Sequence, residues 1–195
     1  MRIAKTAGPL LVFAFASFGA TTFSVSIDTS SLNGAGDFMD LNFNGGFPAT
    51  ATIDNFTGAA LNGGSLQTFG TITGTLPAEV VMSDDGADYF EGLTFGNTIS
   101  FLVTFDGTPG GATGNTFAIS FLSGSNDPLL TGNLVDGFIA RFDMDTSGNV
   151  TPTTFANPSG GPSFAGVQLI TPEPGTGLLL MAGVALFAAG RRNRV

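Results

Sequence analysis

Ile99-Ser-Phe-Leu-Val-Thr-Phe105 is the stretch whose pattern decides the fold. Ile99, Phe101, Val103 and Phe105 alternate with Ser100, Leu102 and Thr104. A period of two in β-branched and aromatic residues predicts a strand with one face on a core. Phe117, Ile119 and Phe121 alternate in the same way with Ala118 and Ser120. Phe138, Ala140, Phe142 and Met144 alternate with Ile139, Arg141 and Asp143.

Working outward, the same pattern predicts strands over Thr22–Asp28, Phe38–Phe43, Thr50–Phe56, Leu66–Thr73, Ala78–Ser83, Asp88–Phe95 and Phe164–Ile170. Between them stand turn signals at Asn33-Gly34, Asn44-Gly45, Asn62-Gly63, Asp85-Gly86, Asp106-Gly107 and Asp136-Gly137. No segment between residues 20 and 170 shows a 3.6-residue apolar stripe, and no fixed-period repeat argues for a solenoid. Thr151 to Pro162, with three prolines and Gly160-Gly161, is expected to be a loop or linker. The fold class expected is all-β, an antiparallel β-sandwich of jelly-roll-like type.

Composition limits what this domain does. From Ala20 to Pro174 the chain has one basic residue, Arg141, and all fifteen of its acids. So negative a surface repels phosphate backbones and anionic headgroups, which argues against nucleic acid as a partner. The chain has no Cys, so burial rather than disulfides must stabilise it, and its twenty Phe residues supply much of the apolar area.

The two ends of the chain differ from the middle. Arg2 and Lys5 precede an apolar run from Gly8 to Ala16, the layout of a secretory signal peptide. Ser17 and Gly19 place small residues at the third-last and last positions before a cut, giving a signal peptide over 1–19 and a domain over 20–170. At the other end, residues 171–195 read TPEPGTGLLLMAGVALFAAGRRNRV. Pro172 and Pro174 hold Glu173 on extended backbone, an apolar run from Gly177 to Gly190 follows, and Arg191, Arg192 and Arg194 close the segment. The arginines stay cytoplasmic, which leaves everything before Pro172 across the membrane. At ~1.5 Å per residue the run spans only ~21 Å, short of the ~30 Å hydrocarbon core, and suits a transient membrane helix removed in processing.

This order of Pro-Glu-Pro, short glycine-rich apolar helix and basic end resembles the PEP-CTERM sorting tail of bacterial surface proteins. The resemblance implies recognition by an exosortase after Sec export and signal-peptidase cleavage. It also implies an inner-membrane intermediate, then release to the periplasm, cell surface or extracellular matrix of a Gram-negative bacterium. Exopolysaccharide is the company such systems keep. The sorting motif maps onto Pro172, Glu173, Pro174, Arg191, Arg192 and Arg194. Asp28 to Leu32 (Asp-Thr-Ser-Ser-Leu) is similar to a segment that opens one recurring kind of PEP-CTERM protein, with no activity attached to it.

Chemistry inside the domain is sparse. From Ala20 to Pro174 there is no His, Cys or Lys, which removes the Ser-His-Asp triad, the thiolate, the Schiff-base lysine and the usual zinc site. Glu79, Glu91 and the aspartates leave only carboxylate chemistry, without a pattern that pairs them across a cleft, so an enzyme is not expected. Asp143, Asp145 and Ser147, followed by Gly148 and Asn149, match the opening of a calcium loop. Position twelve is Thr154 rather than a bidentate Glu, and a plain hairpin explains the same residues; no cofactor is expected, with calcium the alternative. Asp84, Asp85 and Asp88 suit an acidic turn, Arg141 an ion pair and Tyr89 the margin of the core.

Three functions fit. The first is a non-enzymatic structural or adhesive part of the extracellular matrix. The second is a carbohydrate (exopolysaccharide)-binding module, for which Trp is missing and Tyr89 is the lone Tyr. The third is ice binding, since similar tails occur on some ice-binding proteins; it calls for a flat Thr array, whereas Thr50/Thr52 and Thr71/Thr73 are isolated pairs.

Overall fold

The computed structural model describes residues 20–108 and 110–170. The expected signal peptide and the sorting-motif residues Pro172, Glu173, Pro174, Arg191, Arg192 and Arg194 lie outside the described residues. In chain order the strands are β1 (Thr21–Asp28), β2 (Gly36–Asn44), β3 (Ala49–Leu61), β4 (Gln67–Phe69), β5 (Ile72–Gly74) and β6 (Val80–Ser83). They continue with β7 (Asp85–Gly107), β8 (Asn115–Leu122), β9 (Pro128–Leu129), β10 (Phe138–Met144), β11 (Val150–Thr154) and β12 (Ala165–Ile170). One 3₁₀ turn, Ser30–Leu32, follows β1, where Asp28 Oδ1 accepts from the Ser30 N–H.

The fold is all-β and antiparallel, as the alternation predicts. Instead of two separately bonded sheets, the twelve strands join in one hydrogen-bonded ladder. Its spine is β7, which contains the Ile99–Phe105 stretch. The first part of β7 pairs with β2 and β4, and that half continues outward through β8, β10 and β11. The last part pairs with β1 and β3, and that half continues to β12 on one side and to β6 and β5 on the other.

The halves meet through their apolar faces. Phe23 of β1 lies 5.2 Å from Phe142 of β10, ring centroid to centroid. Phe105 of β7 lies 5.3 Å from Phe142 and 5.8 Å from Phe117 of β8. None of these strand pairs shares hydrogen bonds in the ladder at these residues, so the rings join the two halves across one core. Each fully buried Phe contributes about 1.5–3 kcal/mol, which suits a chain without disulfides.

A sheet doubled over in this way needs a corner, and two glycines make it. A Cβ on Gly58 would lie 1.8 Å from the Thr98 carbonyl oxygen, and one on Gly96 would lie 2.4 Å from the Gly58 oxygen. Gly58 also holds φ at +95°, and the β3–β7 register slips on each side of Thr57. The bulges bend both long strands together.

Several expectations change here. Asp88–Phe95 and Ile99–Phe105 are one strand without a break between them, and the Asp85-Gly86 and Asp106-Gly107 turn signals stand at its two ends. Leu66–Thr73 is two short strands, β4 and β5, that serve different halves of the sheet. The expected linker from Thr151 begins as strand β11; Pro152 fits because β11 pairs with β10 alone and an edge needs no second donor. Phe138 does not share the face of Ala140 and Phe142, because the register slips between Phe138 and Ala140. That bulge buries Ile139 and leaves Phe138 half-exposed.

Candidate functional site

The solvent face of the β11-β10-β8-β2-β7-β4 half carries the richest chemistry among the described residues. Antiparallel pairing lines up Thr153, Arg141, Ala118, Asn42, Asp88 and Phe69 in one transverse row. The next row holds Ser120, Asp40, Phe90 and Gln67. Adjacent strands lie ~4.8 Å apart, so these side chains are neighbours although their strands are scattered along the chain.

Two adjoining hollows follow the rows. One, of about 610 Å³, is lined by Asp40, Asn42, Ser120, Asn126, Phe138 and the loop residues Leu134, Val135 and Asp136, among others. The other, of about 520 Å³, is lined by Gln67, Thr68, Phe69, Asp88, Phe90 and Asn126. Asn126 lines both, so the two adjoin at its loop and are taken together as a groove. Its loop is tied down by hydrogen bonds from the Asn126 N–H to the Ser123 oxygen and from the Gly124 N–H to Asp37. Phe90 stacks on Phe38 with centroids 4.8 Å apart, and Phe69 is 72% exposed, so the groove has an aromatic flank.

Asp40 and Asp88 are diagonal neighbours on the groove floor. Burial pushes the Asp40 carboxyl up to about 7, and the neighbouring Asp88 carboxylate adds to it. Asn42 opposes the shift by donating to Asp40 Oδ1 at 2.7 Å. Asp88 Oδ1 is shut away from solvent and finds no partner in the protein. A proton kept on Asp40 gives the pair a donor that two carboxylates lack.

The residues singled out in the sequence go to other places. Tyr89 is fully buried; its hydroxyl donates to Glu91 Oε2 at 2.6 Å and accepts from the Leu76 N–H at 3.1 Å. Burial, with the Glu91 hydrogen bond second, pushes the Tyr89 phenol well above its ordinary value. Glu91 faces this core network at 3% exposure, whereas Glu79 is exposed, so the two glutamates do not converge. Arg141 is held by Asp143, with Nη2 2.9 Å from Oδ2.

Asp145 closes the β10–β11 hairpin. Its oxygens accept from the Asn149 side chain and from the Ser147 and Asn149 N–H groups, which lowers its pKa. Asp143, Asp145 and Ser147 are thus engaged with Arg141 and with the turn itself. The Asp84, Asp85 and Asp88 group is split: Asp84 accepts from the Ala49 N–H, Asp85 from Thr71, and Asp88 joins the groove. Among the described residues no three carboxylates gather as a metal site.

The other half of the sheet shows a feature that sequence spacing conceals. Thr22, Thr104, Thr52, Val81 and Thr73 form one transverse row on its solvent face. Thr22 Oγ1 and Thr104 Oγ1 are 2.9 Å apart. The rows on either side are Ser24, Leu102 and Asp54, and Asp106, Thr50 and Ser83, so the threonines make a line with Thr50 beside it rather than an array.

Comparison with curated proteins and with solved structures finds no match. A family model described as the PEP-CTERM protein-sorting motif matches residues 171–194. Those residues contain the Pro172-Glu173-Pro174 triplet and the three arginines. The chain therefore carries a PEP-CTERM protein-sorting motif at residues 171–194, which marks it as an exported protein targeted to exosortase for sorting to the bacterial cell envelope or surface.

Proposed function

We propose that the domain over residues 20–170 is a non-enzymatic structural or adhesive part of the cell surface or extracellular matrix, delivered there by the sorting tail. The supporting observation is the open groove of Asp40, Asn42, Asp88, Asn126, Phe69 and Phe90 on a domain whose chain carries that tail. Asp40 and Asp88 sit side by side on one floor and do not face each other across a bound substrate. That arrangement suits holding a ligand better than cleaving it. Exposed acids and a polar surface keep such a domain soluble outside the cell.

Fractionation of the native host, with and without its exosortase, tests the reading. With the enzyme, the protein is expected in the surface or matrix fraction, with an intact mass that lacks the tail. Without it, the protein is expected to stay in the membrane fraction. Recovery from the matrix with Arg191, Arg192 and Arg194 still attached contradicts the route. Release by a gentle wash contradicts the adhesive role.

Ice binding has one observation on its side, the Thr22–Thr104–Thr52–Val81–Thr73 row. A thermal-hysteresis measurement on the exported protein, compared with a Thr52→Val, Thr104→Val variant, decides it.

A further inference from the structure

We infer that the groove between the Phe69/Phe90 flank and the Asn126 loop binds an uncharged glycan chain, with its sugar rings against the phenyl faces and its hydroxyls on Asp40, Asp88 and Asn42. The inference rests on the adhesive reading above and names the ligand of that same site.

Shape comes first. Hollows of about 610 and 520 Å³ are each within the usual range for small-ligand sites, and they adjoin at Asn126. Two such adjoining hollows suit a chain of rings better than a single small molecule. The hydrogen-bonding inventory then selects the chemistry. The Asp40 and Asp88 carboxyls, which line the two hollows, offer acceptor oxygens. Asn42 and Asn126 add amide donors and acceptors, though Asn42 already gives one hydrogen to Asp40. A matching ligand brings hydroxyl hydrogens to the carboxylates and hydroxyl oxygens to the amides.

The aromatic flank narrows the class. Phe69 lies beside Asp88 on the adjacent strand, and Phe90 lies beside Asp40. Ring and carboxylate thus alternate in both directions across the sheet. A pyranose presents that pairing, an apolar C–H face with hydroxyls at its rim. A phenyl face takes the first and a carboxylate the second. Phe offers no hydrogen bond of its own, so polar recognition falls to its neighbours.

Charge excludes the acidic glycans. Asp40, Asp88 and Asp136 all line the groove, and Arg141, the one cation nearby, is already neutralised by Asp143 at 2.9 Å. A polyuronate or sulfated chain meets repulsion there without a counter-charge. A polyamine needs only negative charge, which the whole surface supplies, and so gives no use to the aromatic flank.

Affinity electrophoresis of the exported protein, purified from its host, tests the inference. The gels carry hydroxyethylcellulose, galactomannan or dextran as neutral polymers, alginate as the polyuronate and chitosan as the polyamine. Retardation is expected by at least one neutral polymer, undiminished in moderate salt, and not by alginate. Phe69→Ala and Asp88→Asn are each expected to weaken it about tenfold. Phe69 is mostly exposed, so its variant keeps the fold, and a melting curve on each variant verifies this. No retardation by the three neutral polymers overturns the inference, as does equal retardation by alginate. Binding to chitosan alone that vanishes with salt, or retardation unchanged in both folded variants, also overturns it. Rebinding to matrix stripped of the protein separates the two readings. Retention there without neutral-glycan binding overturns this inference and leaves the adhesive role standing, whereas loss of both removes both.

Discussion

At the scale of single residues, Asp40 makes stability depend on pH. Burial and the Asp88 charge raise its pKa to about 7, above the unfolded value near 3.8. Between those values the folded chain holds a proton that the unfolded chain has released. Stability from this site is therefore complete at low pH, falls as pH rises through the window and levels off above it. Between pH 5 and pH 8 the loss is expected to be about 2 kcal/mol, a few degrees in Tm. Asp40→Asn removes the titration, so its melting curves at the two pH values are expected to differ by less than those of the parent. Tyr89 makes the second residue-scale case. Tyr89→Phe leaves buried Glu91 and the Leu76 N–H without their common partner, at a cost of about 1–3 kcal/mol by urea unfolding. Glu91→Gln keeps an acceptor for the phenol and is expected to cost less. Neither network was legible in the sequence. Tyr89 and Asp88 are adjacent in the chain yet face opposite sides of the sheet, and Asp40 reaches Asp88 only through the β2–β7 register.

At the scale of elements, most strands were legible because a buried face imposes a period of two, and the turn residues between them were legible because few types tolerate positive φ. What escaped was the joining of strands. Gly96-Asn97-Thr98 interrupts the apolar alternation, so sequence alone divides β7 where the ladder runs through. The interruption is the corner, where β3 and β7 approach too closely for a side chain. Gly58→Ala is therefore expected to cost at least about 3 kcal/mol or to prevent folding, since it adds left-handed strain to a clash with the Thr98 carbonyl. Gly63→Ala is the control: nothing lies within 4 Å of its added Cβ, and a change within about 0.5 kcal/mol is expected. Equal stability of the two variants by denaturant titration would show that the corner yields. The bulge at Ile139 escaped for a similar reason, because a slip of one residue leaves composition unchanged and reverses which of Phe138 and Ile139 is covered.

At the scale of the whole molecule, the sorting tail was legible as a contiguous motif, whereas the groove exists only after six strands pair. β12 is the last described strand before the sorting motif matched at residues 171–194. Ile170 pairs with Thr22 and Ala165 with Ile27, so the last described strand covers the outer edge of β1. Leu169 and Ile170 remain 55% and 43% exposed, so the burial that β12 adds to its backbone ladder comes from Ala165 and Val167. Phe164, just before it, packs against the core, and its oxygen accepts from the Asp28 N–H at 2.9 Å. A chain ended after Ile170 is therefore expected to melt at the temperature of the longer form, because no described contact is lost. A chain ended after Gly161 loses Phe164 and the whole β1–β12 ladder. Its Tm is expected to fall by several degrees, and the bare β1 edge invites association with a second chain. Calorimetry with size-exclusion chromatography on the two truncations measures both effects. Equal melting of both would show that β12 serves as a stalk between domain and tail. Loss of folding in the longer truncation would mean that residues after Ile170 hold the sheet as well as sort it.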